Sequence, residues 1–289
     1  MINIDKNINQ QTLSTPIFIK GIGLHTGTNV SMKLVPAEAD FGIKFYRTDI
    51  DKNNSIDAIW SNVSNTILST TISNKFGVSV STIEHIMSAL SGLHIDNLKI
   101  EINGPEVPIM DGSSKIFVNL IESVPFKILN KKRKILKIKK NIKVTKEESS
   151  VELKPNKQFS IDFEIDFPSK IISKQSCQLQ LINGNYKSDI ASARTFGFER
   201  DVDTLRSNGL ALGGSLENAV VVGDDKILNK EGLRFKDEFV RHKILDSIGD
   251  LYLAGSPIQG YFFGNKSGHY LNNLLLISLF SDKNNYEYI

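Results

Sequence analysis

The apolar residues of this chain change their spacing several times, and this alternation limits the folds that the chain can adopt. Between residues 12 and 80, segments such as NVSMKLVP and GIKFYRT alternate apolar and polar residues, which is typical of strands. GIGLHTG, at 21–27, predicts a glycine-rich loop or strand-end turn. In VSVSTIEHIMSALSGLH the spacing becomes helical, and the predicted helix ends near Gly92. Its apolar stripe consists of Ile83, Ile86, Met87, Leu90 and Leu93.

The rest of the chain continues this mixture of strands and helices. DNLKIEI predicts a strand, NGPEVPIMDGSS a loop and SKIFVNLIESV a helix. FSIDFEIDFP predicts a half-buried strand, a second long helix is expected at about 235–253, and IQGYFFGNKSGHYLNNLLL is interpreted as a strand. Because strands and helices follow one another without strict βαβ alternation, the sequence predicts an α+β fold. We expect two domains, residues 1–129 and 130–289, although no residue-level repeat is visible.

Composition excludes several classes of protein. With 289 residues, of which 40% are hydrophobic, the chain can form two modest domains with well-packed cores. The first ten residues are polar and predict no signal peptide, and no apolar run is long enough for a membrane span. The single cysteine, Cys177, excludes an internal disulfide and suits a reducing compartment. The prediction is a cytoplasmic protein.

The strongest run of positive charge is KKRKILKIKKNIKV, at 131–144. Basic runs of this kind occur in nucleic-acid-binding proteins. Here, however, apolar residues alternate with lysines and no aromatic residues interleave them, which favours a half-buried strand with a lysine-coated outer face. RNA binding stays as an alternative, which a steep loss of affinity with salt would support.

The segment FVRHKILDSIGD places three potential ligands at helical spacing. His242, Asp246 and Asp250 are each four residues apart and therefore share one face of a helix, with apolar residues on the other side. One interpretation is a surface helix whose polar face is solvated. The other is half of a metal site, because a His and a carboxylate one turn apart can bind a single ion.

Two further histidines lie in settings that suit catalysis. His85 follows Glu84 on its helix, although Ser81-x-x-Glu84 also fits a capping box. His269 lies in GNKSGHYLNN, where a residue at a turn could project into a cleft. Taken together, these residues supply what a zinc hydrolase needs, namely three ligands, a carboxylate base and a second acid.

Several long motifs then occur together in order, and through them the chain resembles the UDP-3-O-acyl-N-acetylglucosamine deacetylase family. They are GIGLHTG, STIEHIMSALSGLHIDNLKIEINGPEVPIMDGSS, ASARTFGF, GLALGGSLENAVVV, RHKILDSIGDLYLAG and SGH. The resemblance runs nearly end to end. It implies a zinc amidase that catalyses the committed, N-deacetylating step of lipid A synthesis in Gram-negative bacteria, with the active site between two sheet-and-helix domains.

The resemblance also implies a role for each matching residue. The metal ligands are expected to be His85, His242 and Asp246, with Zn²⁺ as the metal and Fe²⁺ as the alternative. The base that activates the attacking water is expected to be Glu84, and the acid for the leaving amine is expected to be His269.

Other matching positions would orient these groups or contact the substrate. Asp250 would orient the catalytic histidine, and Thr195 would contact the oxyanion. Phe196 would line the substrate site, Lys243 would bind the uridine diphosphate end, and Gly214, in GGSLENA, would shape the acyl passage.

The chain departs from the family pattern at Ser69, where many members carry Cys close to the metal. The motif GHYLNN also departs from the family, in which a small residue often follows the histidine that corresponds to His269. The expected partner is the UDP-3-O-acyl-N-acetylglucosamine substrate, without nucleic acid and without stable membrane insertion, although the acyl chain allows peripheral contact. A monomer is expected. The alternative function is an inactive relative that binds the nucleotide-sugar lipid without hydrolysing it.

Overall fold

The computed structural model of the protein describes residues 9–181 and 184–289. Within these residues the first half of the chain contains ten strands and two α-helices. The strands are β1 (Asn9–Leu13), β2 (Ile17–Ile22), β3 (Asn29–Pro36), β4 (Ile43–Arg47), β5 (Ser55–Asp57), β6 (Val63–Asn65), β7 (Thr71–Ser73), β8 (Ser79–Val80), β9 (Leu98–Ile102) and β10 (Phe126–Lys132). The helices are α1 (Glu84–Gly92) and α2 (Lys115–Glu122).

The described part of the second half also contains ten strands, now with four α-helices. The strands are β11 (Leu136–Ile138), β12 (Ile142–Lys146), β13 (Ser149–Lys154), β14 (Ser160–Asp166), β15 (Lys174–Gln180), β16 (Phe196–Phe198), β17 (Val220–Val222), β18 (Ile258–Gln259), β19 (Tyr261–Asn265) and β20 (Tyr286–Tyr288). The helices are α3 (Tyr186–Asp189), α4 (Val202–Ser207), α5 (Glu238–Tyr252) and α6 (His269–Phe280). The mixture confirms the predicted α+β class.

Two five-stranded sheets have the same strand order and the same pairing directions. The first sheet runs β2-β3-β9-β4-β5 and the second runs β12-β13-β19-β14-β15. In each sheet the last strand along the chain lies in the centre, parallel to one neighbour and antiparallel to the other. A long helix precedes that central strand in each half, α1 before β9 and α5 before β19. The halves are therefore related by topology, although the sequence showed no repeat.

The division into domains at residues 129 and 130 stays a prediction. Both residues lie inside β10, which pairs in antiparallel fashion with β1 from the start of the described chain. The apolar core is one continuous cluster that draws buried residues from both halves. Between the two halves the main helical contact is α1 against α5.

The lysine-rich run does not form the single strand that its alternation predicts. Residues 131–144 belong to β10, β11 and β12, which lie in three different sheets. Within 131–144, Ile135, Leu136, Ile138 and Ile142 are buried and Val144 is half-buried, but the polar segment after Ile138 leaves one sheet before the next begins at Ile142. The outward lysines form intramolecular ion pairs, including Lys137 with Glu287 and Lys140 with Asp282.

The predicted strand over IQGYFFGNKSGHYLNNLLL is wrong in its second part. The chain forms β18 and β19 and then turns at Gly268 into α6, whose first residue is His269. The reason lies in apolar spacing, because the buried leucines from residue 271 onward recur three to five residues apart, with one adjacent pair, and therefore share one face of a helix rather than alternating every second residue. They are Leu271, Leu275, Leu276 and Leu279.

Helix α5 is not the amphipathic surface helix that its polar residues suggest. Thirteen of its fifteen residues are buried, among them His242, Asp246 and Asp250. The helix packs against α1 and α6 and against strands β14 and β15, so no side of it faces solvent over its whole length. Its polar residues therefore lie inside the protein and require partners there.

The two helices approach so closely at one point that only glycine fits. A Cβ atom built on Gly249 of α5 would lie 2.0 Å from the backbone oxygen of Glu84 on α1. Glycine is unfavourable inside a helix by about 1 kcal/mol relative to alanine. Its presence here is explained by the space that the α1 backbone occupies.

We therefore expect Gly249→Ala to destabilise the protein, although helix propensity alone would make it stabilising. Overpacking of this kind costs about 1–3 kcal/mol, which exceeds the gain in propensity. The measurement is urea denaturation of the variant beside the wild type. A variant as stable as the wild type would show that the helices can separate without cost.

Candidate active site

Helices α1 and α5 bring together two histidines and an aspartate. His85 comes from α1, and His242 and Asp246 come from α5. Asp246 Oδ1 lies 3.5 Å from His85 Nε2 and 3.3 Å from His242 Nε2, and the ligand atoms of the three residues all lie within 4.8 Å of one another. The two imidazole rings are perpendicular. All three side chains are buried.

The geometry of this cluster fits a metal ion. Tetrahedral zinc ligands at about 2.0–2.1 Å from the ion lie about 3.3–3.4 Å from each other, close to the separations of Asp246 Oδ1 from the two imidazoles. Among the described residues, Asp246 Oδ1 is buried and has no hydrogen-bond partner. A buried carboxylate oxygen without a donor is costly unless a cation is near. The cluster could therefore hold a divalent metal.

Neighbouring groups hold the ligands in the state that a metal requires. His242 Nδ1 lies 3.1 Å from the carbonyl oxygen of Ala193, which acts as acceptor and leaves Nε2 as the free lone pair. Burial lowers the pKa of His242 to about 3, so the imidazole is neutral. Burial acts to raise the pKa of Asp246, but its neighbours, among them the Lys243 ammonium that donates to Oδ2, outweigh it and hold that pKa well below its usual range.

The carbonyl of Ala193 is itself fixed by a buried ion pair. The next residue, Arg194, donates from its Nε to Glu238 Oε1 at 2.8 Å and from its backbone N–H to the same oxygen at 3.0 Å. Both side chains are buried. Because Glu238 is the first residue of α5, this pair ties the 193–195 segment to the helix that carries His242.

Glu84 does not form the capping box that its spacing suggests. Ser81 Oγ donates to the carbonyl of Pro105, and the N-cap position of α1, Ile83, has no side-chain hydrogen bond. Instead, Glu84 Oε2 accepts the backbone N–H of Thr70 at 3.0 Å, and Glu84 Oε1 faces His269 Nε2 at 3.9 Å. Burial raises the pKa of this carboxyl, which is the shift expected of a general base.

His269 forms an ion pair with Asp250 at the start of α6. His269 Nδ1 donates to Asp250 Oδ2 at 2.8 Å, and Asn272 Nδ2 donates to the same oxygen at 2.8 Å. Thr70 Oγ donates to Asp250 Oδ1 at 2.6 Å. Burial acts to lower the pKa of His269, but the carboxylate of Asp250 outweighs it and raises the pKa to about 9.

These groups line one cleft with a cavity of about 460 Å³. Thr195 and Phe196 contribute to its wall, and Phe196 packs edge-on against Phe239 and His242. The lining also includes Lys243, whose ammonium donates to Asp246 Oδ2 at 2.6 Å. A separate apolar cavity of about 130 Å³, lined in part by His94 and Tyr252, contains none of the predicted site residues.

The structure thus brings most of the predicted residues into one cleft. Asp250 lies behind His269, and Gly214 lies outside the lining, in a loop whose neighbour Gly213 donates to the carbonyl of Leu24. Ser69 is buried beside Thr70 but does not belong to the three-ligand cluster.

Sequence reasoning missed several residues that hold this arrangement. They are Thr70, Asn272, Gly249, Arg194 and Glu238. Each acts through contacts between segments distant in sequence, and neither a lone threonine nor an asparagine carries a local pattern that would identify it. For Glu238 the sequence did offer one indication of a role in the site. It lies four residues before His242 and therefore on the same side of α5.

Fold and site together define an α+β protein with a buried His-His-Asp cluster that could hold a metal ion, beside a carboxylate and an imidazole suited to proton transfer. Residues 10–281 match the family described as UDP-3-O-acyl N-acetylglycosamine deacetylase. The chain belongs to this family, as its motifs predicted, and is therefore a deacetylase, a hydrolase that acts on an amide bond.

Individual relatives agree with this assignment. The UDP-3-O-acyl-N-acetylglucosamine deacetylase of Syntrophus aciditrophicus (strain SB) is 46% identical over 277 residues, which is 96% of this chain and 88% of the relative. The deacetylase of the same name from Geobacter sp. (strain M21) is 49% identical over 270 residues, covering 93% of this chain and 88% of the relative. That of Shewanella violacea is 46% identical over 282 residues, covering 97% and 92%. Among the described residues, no helix has the length and apolar character needed to cross a membrane.

We expect His242→Ala to abolish stoichiometric metal binding. Zn²⁺ at 100 times its Kd should add about 2.7 kcal/mol to the unfolding free energy of the metal-free wild type, and this gain should vanish in the variant. Thermal unfolding with and without Zn²⁺, together with metal analysis, measures both effects. His94→Asn is the matched control, because His94 lines the separate apolar cavity rather than the cleft. The backbone φ of His94 is 58°, a conformation that asparagine tolerates. Metal retained by His242→Ala would remove His242 from the ligand set.

Proposed function

We propose that this protein hydrolyses the N-acetyl group of UDP-3-O-acyl-N-acetylglucosamine in lipid A biosynthesis, with Zn²⁺ as its metal. The observation that carries the proposal is the single cleft in which the His-His-Asp cluster lies beside Glu84 and His269. The names of the relatives support the substrate. The intact set of ionisable groups disfavours the alternative of an inactive binding protein.

The proposed ligands are His85, His242 and Asp246. When bound, Zn²⁺ supplies a Lewis acid that polarises the amide carbonyl and lowers the pKa of a water. His and carboxylate ligands also accept Fe²⁺, so the metal used in the cell is chosen by availability as well as by affinity.

Glu84 is the proposed general base. Its Oε2 is occupied by the Thr70 N–H, whereas Oε1 faces the cleft and is available to take a proton from the attacking water. The water oxygen then bonds to the amide carbon. The raised pKa of Glu84 makes the carboxylate a better proton acceptor than an exposed glutamate.

His269 is the proposed general acid. Its Nδ1–H is held by Asp250, which leaves the Nε2–H to be given to the leaving nitrogen as the carbon–nitrogen bond breaks. Acetate and the free amine are the products, so the proton taken by Glu84 and the proton given by His269 balance the reaction. Asp250 orients the ring and favours its charged form.

The remaining residues of the cleft are assigned to the substrate. Thr195 stabilises the oxyanion, Phe196 forms part of the apolar wall, and Lys243 attracts the diphosphate while neutralising Asp246. Gly214 shapes the passage for the acyl chain through the loop that contacts Leu24. We further propose that the enzyme works in the cytoplasm as a monomer, with peripheral contact to the membrane only through the acyl chain of its substrate.

The direct test is to follow amine release from the UDP-sugar with purified protein, with and without chelator and added Zn²⁺. We expect turnover to disappear with chelation and to return with Zn²⁺. Binding of the substrate without release of the amine, in fully metallated protein, would favour the inactive relative.

We expect Glu84→Gln to lower turnover by about 10²–10⁴ while metal content and melting temperature stay near wild type. Glutamine can still accept the Thr70 N–H through its amide oxygen, but it cannot take a proton from water. Turnover, metal analysis and thermal unfolding of the same preparation give the three quantities. A variant that melts early yet retains most of its activity would assign Glu84 a structural role instead.

The pH profile of kcat/KM should fall on its alkaline side near pH 9, where His269 loses the proton that it must donate. Because the ion pair with Asp250 raises this pKa, Asp250→Asn should move the alkaline limb to lower pH. Activity then persists only below the new pKa. His269→Ala should retain the metal and lose the limb altogether, and a limb that stays in place in both variants would move the acid role to another group.

A further inference from the structure

Thr70 contacts both the proposed base, Glu84, and Asp250, the partner of the proposed acid. It lies just before β7, its side chain is buried, and it carries no role in the mechanism above. Its backbone N–H donates to Glu84 Oε2 at 3.0 Å, and its hydroxyl donates to Asp250 Oδ1 at 2.6 Å. One residue therefore binds the proposed base on α1 and the partner of the proposed acid on α5.

The contacts close into a ring. Asp250 Oδ2 accepts from His269 Nδ1 at 2.8 Å, and His269 Nε2 faces Glu84 Oε1 at 3.9 Å. Glu84 returns to Thr70 through its second oxygen. Each carboxylate thus uses one oxygen for Thr70 and keeps the other directed at His269.

The hydroxyl of Thr70 determines which way the Asp250 carboxylate faces. His269 and Asn272 both donate to Oδ2, so within the described residues the donor to Oδ1 is Thr70. Without it, a buried carboxylate oxygen would lack a partner, and the group would gain by rotating away from His269.

We propose that Thr70 is a positioning residue for the deacetylation, whose hydroxyl holds Asp250 in the orientation that presents His269 Nε2 to the cleft. The inference rests on the proposed function, in which His269 acts as the acid. Thr70 touches neither the metal ligands nor the leaving group, and it acts only through Asp250 and Glu84.

The chain offers a matched pair of substitutions and a matched control. Thr70→Val keeps the shape and the backbone N–H to Glu84 but deletes the hydroxyl, whereas Thr70→Ser keeps the hydroxyl. Thr12 is also buried, and its hydroxyl donates to the carbonyl of Asn97 at 2.6 Å, away from the cleft. Thr12→Val therefore deletes a hydroxyl that donates at the same distance, and that also accepts the Ala37 N–H at 3.1 Å, without touching the site.

We expect Thr70→Val to lower kcat by about 10–100-fold, as is typical when the partner of a group in the active site is removed, with KM and zinc content unchanged. Thr70→Ser should restore most of the turnover. Thr12→Val should lose a comparable amount of stability in urea and keep wild-type kcat. Wild-type kcat in Thr70→Val, an equal loss in Thr70→Ser, or the same loss in Thr12→Val would overturn the proposal.

A second readout does not depend on turnover. In the zinc-loaded protein, the Nδ1 proton of His269 should give a low-field NMR resonance because it is shared with a carboxylate. Thr70→Val should shift or broaden this resonance, and Thr12→Val should leave it unchanged. An unaltered resonance in Thr70→Val would overturn the positioning role, whereas a wild-type enzyme inactive on the UDP-sugar would contradict the proposed function alone.

Discussion

The contact between α1 and α5 is the constraint on which the rest of the site depends. At Gly249 the backbones meet with no room for a side chain, and this proximity brings His85 within reach of Asp246. The cost of this close helix packing is electrostatic, because three carboxylates are buried in one region, those of Glu84, Asp246 and Asp250. Their compensating contacts overlap, because Glu84 accepts the Thr70 N–H, Asp246 accepts from Lys243, and Asp250 accepts from His269, Asn272 and the Thr70 hydroxyl. Breaking one of these contacts would leave an unpaired buried charge, which is strongly destabilising.

The repeated topology explains why the site lies where the two halves meet. Each half inserts a long helix just before its central strand, and the two inserted helices are the ones that pack together. Neither helix carries the whole His-His-Asp cluster, since α1 supplies one of its residues and α5 supplies two. The proposed acid, His269, comes from a third element, α6, which begins shortly after the central strand of the second half has ended. The geometry of the cluster therefore depends on how α1 and α5 pack against each other.

Local periodicity predicted the parts of the fold and site that are encoded within single segments. The spacing of His242 and Asp246 and the α+β class could both be derived in this way. Burial of α5 could not, because charged residues are usually exposed and three of them on one face suggest a solvated surface. The start of α6 was missed because the apolar residues of YFFG and the later leucines were assigned to one strand, although the polar segment NKSGHY separates them. Thr70 was missed because its hydrogen bond to Asp250 joins two residues that are 180 positions apart in the sequence.

The proposed base, Glu84, and the proposed acid, His269, share one buried environment but differ in their hydrogen-bond partners. Burial pushes both Glu84 and His269 towards their neutral forms, raising the pKa of the carboxyl and acting to lower that of the imidazole. Asp250 breaks this symmetry, because it pairs with His269 and makes the imidazolium the stable form. Asp250 lies one helical turn beyond Asp246, so α5 places the proposed metal ligand and the partner of the proposed acid at successive positions of one face. A single buried helix therefore carries both a carboxylate of the His-His-Asp cluster and the carboxylate that raises the pKa of His269.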